Sequence, residues 1–271
     1  WVAPFAFAGR PVHLKPKGKN LPTLRASDAG GSFLSWAADS GSLLWSTGPN
    51  LSQLPLKRAF AWLQSDRLAS VQAKGRKKTK EPSSSKRPRP KAIVHQLGFQ
   101  LPTARATGTY AMTDVRILTM AKADAKNGGL IPNGVLVWRG DRIIAVGPRG
   151  KVKIPPGAKI YRGGGKTVMP GLIDVHAHGA QGTHGIIPQR NWGSHSLLSF
   201  GVTTVHDPSN HTETVFAASE QQQAGRILGP RLFSTGSILY GATAIWTAKI
   251  NSKADAKRHL ARLKAIGAFS V

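Results

Sequence analysis

Two histidines separated by one residue are the strongest candidates for chemistry in this chain, in the segment PGLIDVHAH (170–178). The apolar residues before Asp174 predict a strand that leads into the pair. Because side chains alternate along a strand, Asp174, His176 and His178 would point to one face. Two imidazoles at this spacing can reach one divalent metal ion, while Asp174 would orient a ligand or balance its charge. A pair of surface histidines at a strand end is the alternative, and the apolar run before the pair favours the metal site.

A second polar pair, His206 and Asp207, follows a strand predicted at residues 202–205. In a parallel α/β sheet the carboxyl ends of the strands share one edge, and active sites assemble there. The pair would then lie on the pocket rim beside His176, although HDPS (206–209) is equally typical of a loop cap. His184 and His195 are predicted to be exposed surface histidines.

The elements that must position these residues alternate between strand and helix along residues 169–271. Strands are predicted at 172–175, 202–205, 231–235 and 268–271, and helices at 192–200, 213–225 and from 251 onward. Strands and helices that alternate in units of about 30 residues predict a parallel sheet built from βα units.

Two β-rich regions precede this part of the chain. Residues 110–168 predict strands at 111–120 and 134–147, the second interrupted by a turn at 139–142. Residues 1–64 contain a hairpin signal, AADSG (37–41), between strands at 32–36 and 42–45. The segment 31–45 resembles one blade of a TolB-like β-propeller, and an antiparallel β-meander is the equal alternative.

A basic linker with its lead-in occupies residues 65–109 and separates the two β-rich regions. Its segment 74–91 contains nine Lys and Arg residues and one Glu, together with Pro and Ser but no aromatic residue. Such a composition cannot bury enough apolar surface to fold, so disorder is predicted for 74–91.

The whole composition sets further limits on function. The chain has 271 residues, a formal net charge of +26 and no cysteine. The absence of cysteine excludes disulfides, cysteine nucleophiles and thiolate zinc sites within this sequence. No run of about 18 apolar residues is present, so no membrane span is predicted. The chain begins with Trp1, and we expect it to be an internal fragment of a longer protein.

The segment GKTVMPGLIDVHAH (165–178) resembles the signature that opens the barrel of the amidohydrolase superfamily. Segments 179–192, 202–210 and 229–236 resemble the members of that superfamily that are fused behind a TolB-like β-propeller. The resemblance implies a mixed β and α/β fold class. A propeller remnant would occupy 1–64, a β-sandwich 110–168, and the first part of a (β/α)8 TIM-type barrel 169–271.

The same resemblance implies one or two divalent metal ions, zinc first, with His176 and His178 as ligands. It places the remaining ligands and the catalytic Asp beyond Val271, so the catalytic residues of this chain are unknown and the fragment is expected to be inactive. For the intact protein it implies hydrolysis of an amide C–N bond by metal-activated water. The implied substrate is a small-molecule amide or a dipeptide-like molecule, and the implied location is periplasmic or secreted.

The alternative function is that of a non-enzymatic basic scaffold. Residues 74–91 would then bind nucleic acid or an acidic surface through their charge. We expect no sequence-specific nucleic-acid partner, because no recognisable binding module is present. The unpaired strand edges of an incomplete barrel predict self-association of the chain.

Overall fold

A computed structural model describes most of the chain. The described residues are 1–4, 9, 21–28, 30–74, 88–121, 129–183, 185–242, 244 and 247–271, without the side chains of 67–74. Most of the basic segment predicted to be disordered (its residues 75–87) lies outside the described residues, as does His184.

The described elements are, in chain order, strands β1 (Ser32–Trp36), β2 (Ser42–Thr47) and β3 (Asn50–Pro55), helix α1 (Leu56–Lys74), strands β4 (Ile93–Gln96), β5 (Thr109–Leu118), β6 (Leu130–Arg139), β7 (Arg142–Pro148), β8 (Lys159–Arg162), β9 (Thr167–Val168) and β10 (Leu172–Asp174), helix α2 (Trp192–Ser199), strand β11 (Val202–Asp207), helix α3 (Thr212–Gln223), strands β12 (Arg231–Ser234), β13 (Ile238–Tyr240) and β14 (Thr247–Lys249), and helix α4 (Lys253–Ala265).

These elements divide into two compact units. One unit contains Trp1–Gln100, Ser209–Glu213 and Thr235–Val271, and the other contains Leu101–Pro208 and Thr214–Ser234. The boundary at Gln100 falls within the predicted linker and lead-in, nine residues before β5 begins.

The first unit contains an antiparallel sheet in the order β1-β2-β3-β4. The predicted hairpin between β1 and β2 is confirmed: the N–H of Ala37 donates to the carbonyl of Ser42 at 2.9 Å. The Asp39 carboxylate accepts the N–H of Gly41 at 2.8 Å and closes the turn. Four antiparallel strands suit both a propeller blade and a plain meander, so those alternatives stay open.

Helix α1 extends past residue 64, after which the sequence analysis placed the linker and its lead-in. The helix continues to Lys74, ten residues into the predicted linker. Its sequence lacks Pro and Gly and is rich in Ala, Leu, Gln, Lys and Arg, which are strong helix formers. Its side chains Ala59 and Leu63 are buried in one core with Leu43, Trp45 and Leu54 of the sheet, so packing anchors the first half of the helix.

The C-terminal part of the same unit contains helix α4 and the short parallel pair β13 and β14. The predicted helix is confirmed, and it begins where the Ser252 hydroxyl accepts the N–H of Asp255 at 3.1 Å. The predicted fourth strand at 268–271 is wrong, because no strand forms there. The N–H of Ala268 instead donates to the carbonyl of Leu263 at 3.0 Å, which completes the last helical turn.

The second unit contains the sheet of residues 109–168, in the order β7-β6-β5-β8 with β9 also paired to β5. The predicted turn between β6 and β7 is confirmed. Ala111, Val135 and Val137 form a buried cluster on one face. Within the described residues these strands make one mixed sheet, whereas the resemblance implied two packed sheets.

The predicted βα units are also confirmed in the second unit. Strands β10, β11 and β12 pair in parallel and in chain order, with α2 and α3 as the crossover helices. Val205, Val215, Ala218 and Leu232 are buried between the sheet and α3. The described residues thus contain a parallel sheet of three strands, in which β10 and β12 are the outer ones.

Candidate functional site

The histidine pair lies immediately after the first parallel strand. Strand β10 ends at Asp174, so His176 and His178 belong to the following loop and the strand alternation used to predict one shared face does not apply. The Asp174 carboxylate accepts the N–H of His176 at 3.0 Å, a local contact that turns the chain out of the sheet. The rings nevertheless lie side by side, with centroids 4.9 Å apart and planes at 86°.

Asp207 is the residue that connects this loop to the sheet. It is the last residue of β11, only 1% of its side chain is exposed, and its Oδ1 lies 3.3 Å from Nδ1 of His178. The sequence placed Asp207 on a pocket rim. The structure instead buries its carboxylate and brings it against one of the two predicted metal ligands.

His206 fastens the same loop through its backbone and its ring. Its carbonyl accepts the N–H of Ala177 at 3.0 Å, and its Nδ1 lies 3.3 Å from the carbonyl oxygen of Val175. Both predicted rim residues therefore contact the loop 175–178. The structure thus brings His206 and Asp207 to the loop of the histidine pair at one edge of the parallel sheet, and Asp174 contacts the same loop through the backbone N–H of His176.

The donor set was tested for its fit to a metal ion. Within the described ranges, no group of three or more His, Cys, Asp and Glu side chains could hold a metal ion. His176 and His178 fit as two neighbouring nitrogen ligands, and imidazole suits zinc and several other divalent metals. The described residues therefore provide part of a metal site.

His195 differs from its prediction as an exposed surface histidine. It lies on α2, is half-buried, and its Nε2 is a buried atom with no hydrogen-bond partner among the described residues. The neighbouring apolar residues of the helix, Leu197 and Leu198, did not predict that the His195 ring would be half-buried. Its environment depends on tertiary packing.

A cavity that sequence reasoning missed lies on the helix-covered side of the parallel sheet. Residues from α2, α3, β11 and β12 line it, and its polar lining side chains are Gln181, Asn191, Ser194 and Gln222. Asn191 already caps α2 by accepting the N–H of Ser194, and its amide nitrogen donates to the carbonyl of Ala180 at 3.0 Å. Neither His176 nor His178 lines this cavity, so it is separate from the histidine pair.

Comparison with known proteins gave similarity to solved structures alone. No protein-family profile matches the chain, and no curated protein matches it significantly. The chain is similar to a protein described as a prolidase from Bifidobacterium longum, with 28% identity and a TM-score of 0.44 over 59% of this chain and 39% of that one.

Two further solved structures show the same partial similarity. A Xaa-Pro dipeptidase with bound methionine in its active site is 14% identical, with a TM-score of 0.46 over 59% of this chain and 45% of that one. The A. niger ochratoxinase is 14% identical, with a TM-score of 0.46 over 60% of this chain and 46% of that one. The chain spans less than half the length of each of these three proteins.

No helix among the described residues combines the length and apolar character that crossing a bilayer requires.

Proposed function

We propose that this chain is part of a metal-dependent hydrolase that cleaves an amide C–N bond. The observation that carries the proposal is the histidine pair at the carboxyl end of a parallel strand, where one imidazole contacts a buried carboxylate. Active sites of parallel α/β folds assemble at this end of the strands. The motif PGLIDVHAH (170–178) supports the same proposal through its resemblance to amidohydrolases.

His178 is held by Asp207 in the way that metal-binding histidines are commonly held. A carboxylate next to Nδ1 favours the tautomer with its proton on that nitrogen, which leaves the Nε2 lone pair for a ligand. Because the Asp207 carboxylate is buried, salt screens its contact with the half-exposed ring less than it would screen a contact between two exposed groups. Asp207 would therefore act as a positioning residue for His178.

Asp174 and His206 would fix the loop on which both imidazoles are carried. Asp174 accepts the N–H of His176, and the His206 carbonyl accepts the N–H of Ala177, so both contacts hold backbone between the two ligands. Their proposed role is to keep the two rings adjacent in the metal-free protein. Less conformational entropy is then lost when the metal ion binds.

A divalent ion held by His176 and His178 would polarise the substrate carbonyl and lower the pKa of a bound water. We propose zinc as that ion, and later strands of the barrel as the source of the remaining ligands and of the catalytic carboxylate. The proposed substrate is a small amide or a dipeptide-like molecule. A periplasmic or secreted location remains part of the proposal.

The experiment that tests this proposal is calorimetric titration of the 271-residue chain with Zn²⁺. We expect one class of site that is lost in His176→Ala and in His178→Ala. Asp207→Asn should weaken zinc binding by about 10- to 100-fold. The His178 imidazole remains as a ligand in this variant, but the carboxylate that orients its ring is removed.

His95→Ala is the matched control, since His95 is an exposed histidine on β4 whose ring nitrogen contacts Gln53 at 3.1 Å. This variant should bind zinc as the unmodified chain does. Equal zinc affinity in the unmodified chain and in both His176→Ala and His178→Ala would refute the assignment of these ligands.

A further inference from the structure

Three aromatic side chains meet on the sheet of residues 109–168. Tyr110 on β5 pairs directly with Trp138 on β6, and Tyr161 on β8 pairs with Met112, two residues along β5 from Tyr110. We call Tyr110, Trp138 and Tyr161 the aromatic cluster. Three neighbouring strands therefore contribute one ring each.

The three rings of the aromatic cluster stack on one another. The ring centroids are 5.4 Å apart for Tyr110 and Trp138, and 6.3 Å apart for each of the other two pairs. Three similar separations place the rings at the corners of a triangle, since a column of three would put its end rings about twice as far apart. The planes differ by only 17°, 22° and 13°, so the three rings are nearly parallel.

The aromatic cluster lies on the face of the sheet opposite its core. The buried residues Ala111 and Val137 are sequence neighbours of Tyr110 and Trp138, and adjacent strand residues point to opposite faces. None of the three hydrophobic clusters found among the described residues includes a ring of the aromatic cluster. Tyr161 is 40% exposed, so part of this surface is open to solvent.

A lysine ammonium lies against the aromatic cluster. The Lys159 ammonium lies 5.4 Å from the Tyr161 ring centroid, and Lys159 pairs with Tyr110 in the sheet. Residues 109–168 as a whole contain eleven Lys and Arg residues and three Asp. A ligand of this surface is thus favoured if it is flat, apolar on its faces and negatively charged.

We propose that the aromatic cluster binds single-stranded nucleic acid, with a base stacked on the exposed part of the rings and a phosphate at Lys159. Stacking of bases on aromatic side chains inside a basic surface is how sequence-tolerant single-strand binding is achieved. Sugars also stack on aromatic rings, but a neutral glycan gains nothing from the excess of cations. The proposal is independent of the hydrolase, and it involves no sequence-specific readout.

The test is fluorescence anisotropy of a labelled oligothymidylate of about 12 nucleotides, within the usual site size of a single-strand binding surface. The full chain is compared with Tyr161→Ala and Tyr161→Phe. Losing one stacking ring should weaken binding by about 5-fold to 100-fold in Tyr161→Ala, whereas the phenyl ring of Tyr161→Phe should preserve it. Tyr161→Phe keeps the ring contacts and should melt like the unmodified chain by circular dichroism, whereas Tyr161→Ala loses them and should melt at a somewhat lower temperature while remaining folded at the assay temperature.

Two further variants separate stacking from charge. Lys159→Ala should reduce the slope of log affinity against log salt by about 0.7, the value for one phosphate contact on a single strand. Trp192→Ala is the control, because Trp192 is 82% exposed on α2 and outside the aromatic cluster. It should leave affinity for the oligonucleotide unchanged.

The proposal is overturned by either of two outcomes. Equal affinity of the unmodified chain and Tyr161→Ala, with duplex DNA bound as well as the single strand, would assign binding to dispersed charge such as that of residues 74–91. Binding of a neutral glycan without binding of the oligonucleotide would assign the aromatic cluster to carbohydrate. Preferential single-strand binding that depends on the ring of Tyr161 supports it.

Discussion

An inner strand of one sheet of the second unit, β6, buries its apolar residues far more than an outer strand of the other sheet, β10, does. In the sheet of residues 109–168, Val137 is 0% exposed and packs with Ala111 and Val135. In the parallel sheet, β10 has an equally apolar sequence, yet Ile173 is 65% exposed. Val175, just beyond that strand, is exposed as well.

The difference follows from how each kind of sheet is completed. Antiparallel hairpins such as β6 and β7 pair through short turns, so the sheet of residues 109–168 assembles from nearby segments. Parallel sheets need crossover helices and are normally buried on both faces. Among the described residues β10 pairs with β11 alone, so the edge of β10 that faces away from β11 pairs with no described strand. The histidines of the proposed metal site thus follow an outer strand of the parallel sheet.

The largest predicted contrast between the sheets is in the free energy of unfolding. Val137→Asp places an unpaired carboxylate in the buried cluster and should cost about 3 to 5 kcal/mol. Ile173→Asp places the same group on an exposed strand and should change stability by less than about 0.5 kcal/mol. Urea denaturation followed by circular dichroism measures both. Equal destabilisation by the two substitutions would mean that β10 is buried to the same degree as β6.

The next prediction concerns association through the exposed parallel edge. Ile173 and Val175 leave apolar surface on an unpaired strand edge, which is a recognised site of intermolecular pairing. The net charge of +26 opposes contact at low salt, and salt at about 0.15 M reduces the range of that repulsion to about 8 Å. We therefore expect sedimentation velocity to show association that increases with salt.

Ile173→Lys should reduce this association, because a charged side chain on an edge strand opposes pairing. Leu228→Lys is the matched control: Leu228 is as exposed as Ile173, at 65%, but it lies between α3 and β12 and belongs to no strand. A single monomeric species at every salt concentration would show that the edge of β10 is not an association site.

The smallest predicted effect concerns the crossover helix α2. Asn191→Ala removes the side-chain oxygen that accepts the N–H of Ser194, and loss of such a cap costs about 1 kcal/mol. Asn191→Asp retains a capping oxygen and should restore most of that stability. Hydrogen exchange should show faster exchange of α2 amides in Asn191→Ala and unchanged exchange in β5 and β6. Uniform acceleration across both sheets would mean that they unfold as one cooperative unit.

Features with local causes could be predicted from the sequence. The turns at 37–41 and 139–142 contain the residues that tight turns require, and both form. The alternation of strands and helices from Leu172 to Ser234 also predicted the parallel order β10-β11-β12. Each of these depends on contacts between residues close in sequence or on a repeated pattern.

Features that depend on tertiary contacts were missed or wrong. Residues 268–271 have a strand-like composition, but the chain end follows a helix turn instead. The burial of Asp207 and its contact with His178 require the register of β10 against β11, which no local pattern encodes. The aromatic cluster likewise appears only once the pairing of Tyr110 with Trp138 is known.

The most direct test of the proposed metal site is long-range ¹H–¹⁵N NMR of the histidine rings during titration with Zn²⁺. The structure predicts that His178 carries its ring proton on Nδ1, next to Asp207, before metal is added. On titration the Nε2 resonance of His178 and one ring nitrogen of His176 should shift together, while the rings of His95 and His259 stay unchanged. Zinc-dependent shifts confined to other histidines, with His176 and His178 unperturbed, would contradict the proposed site.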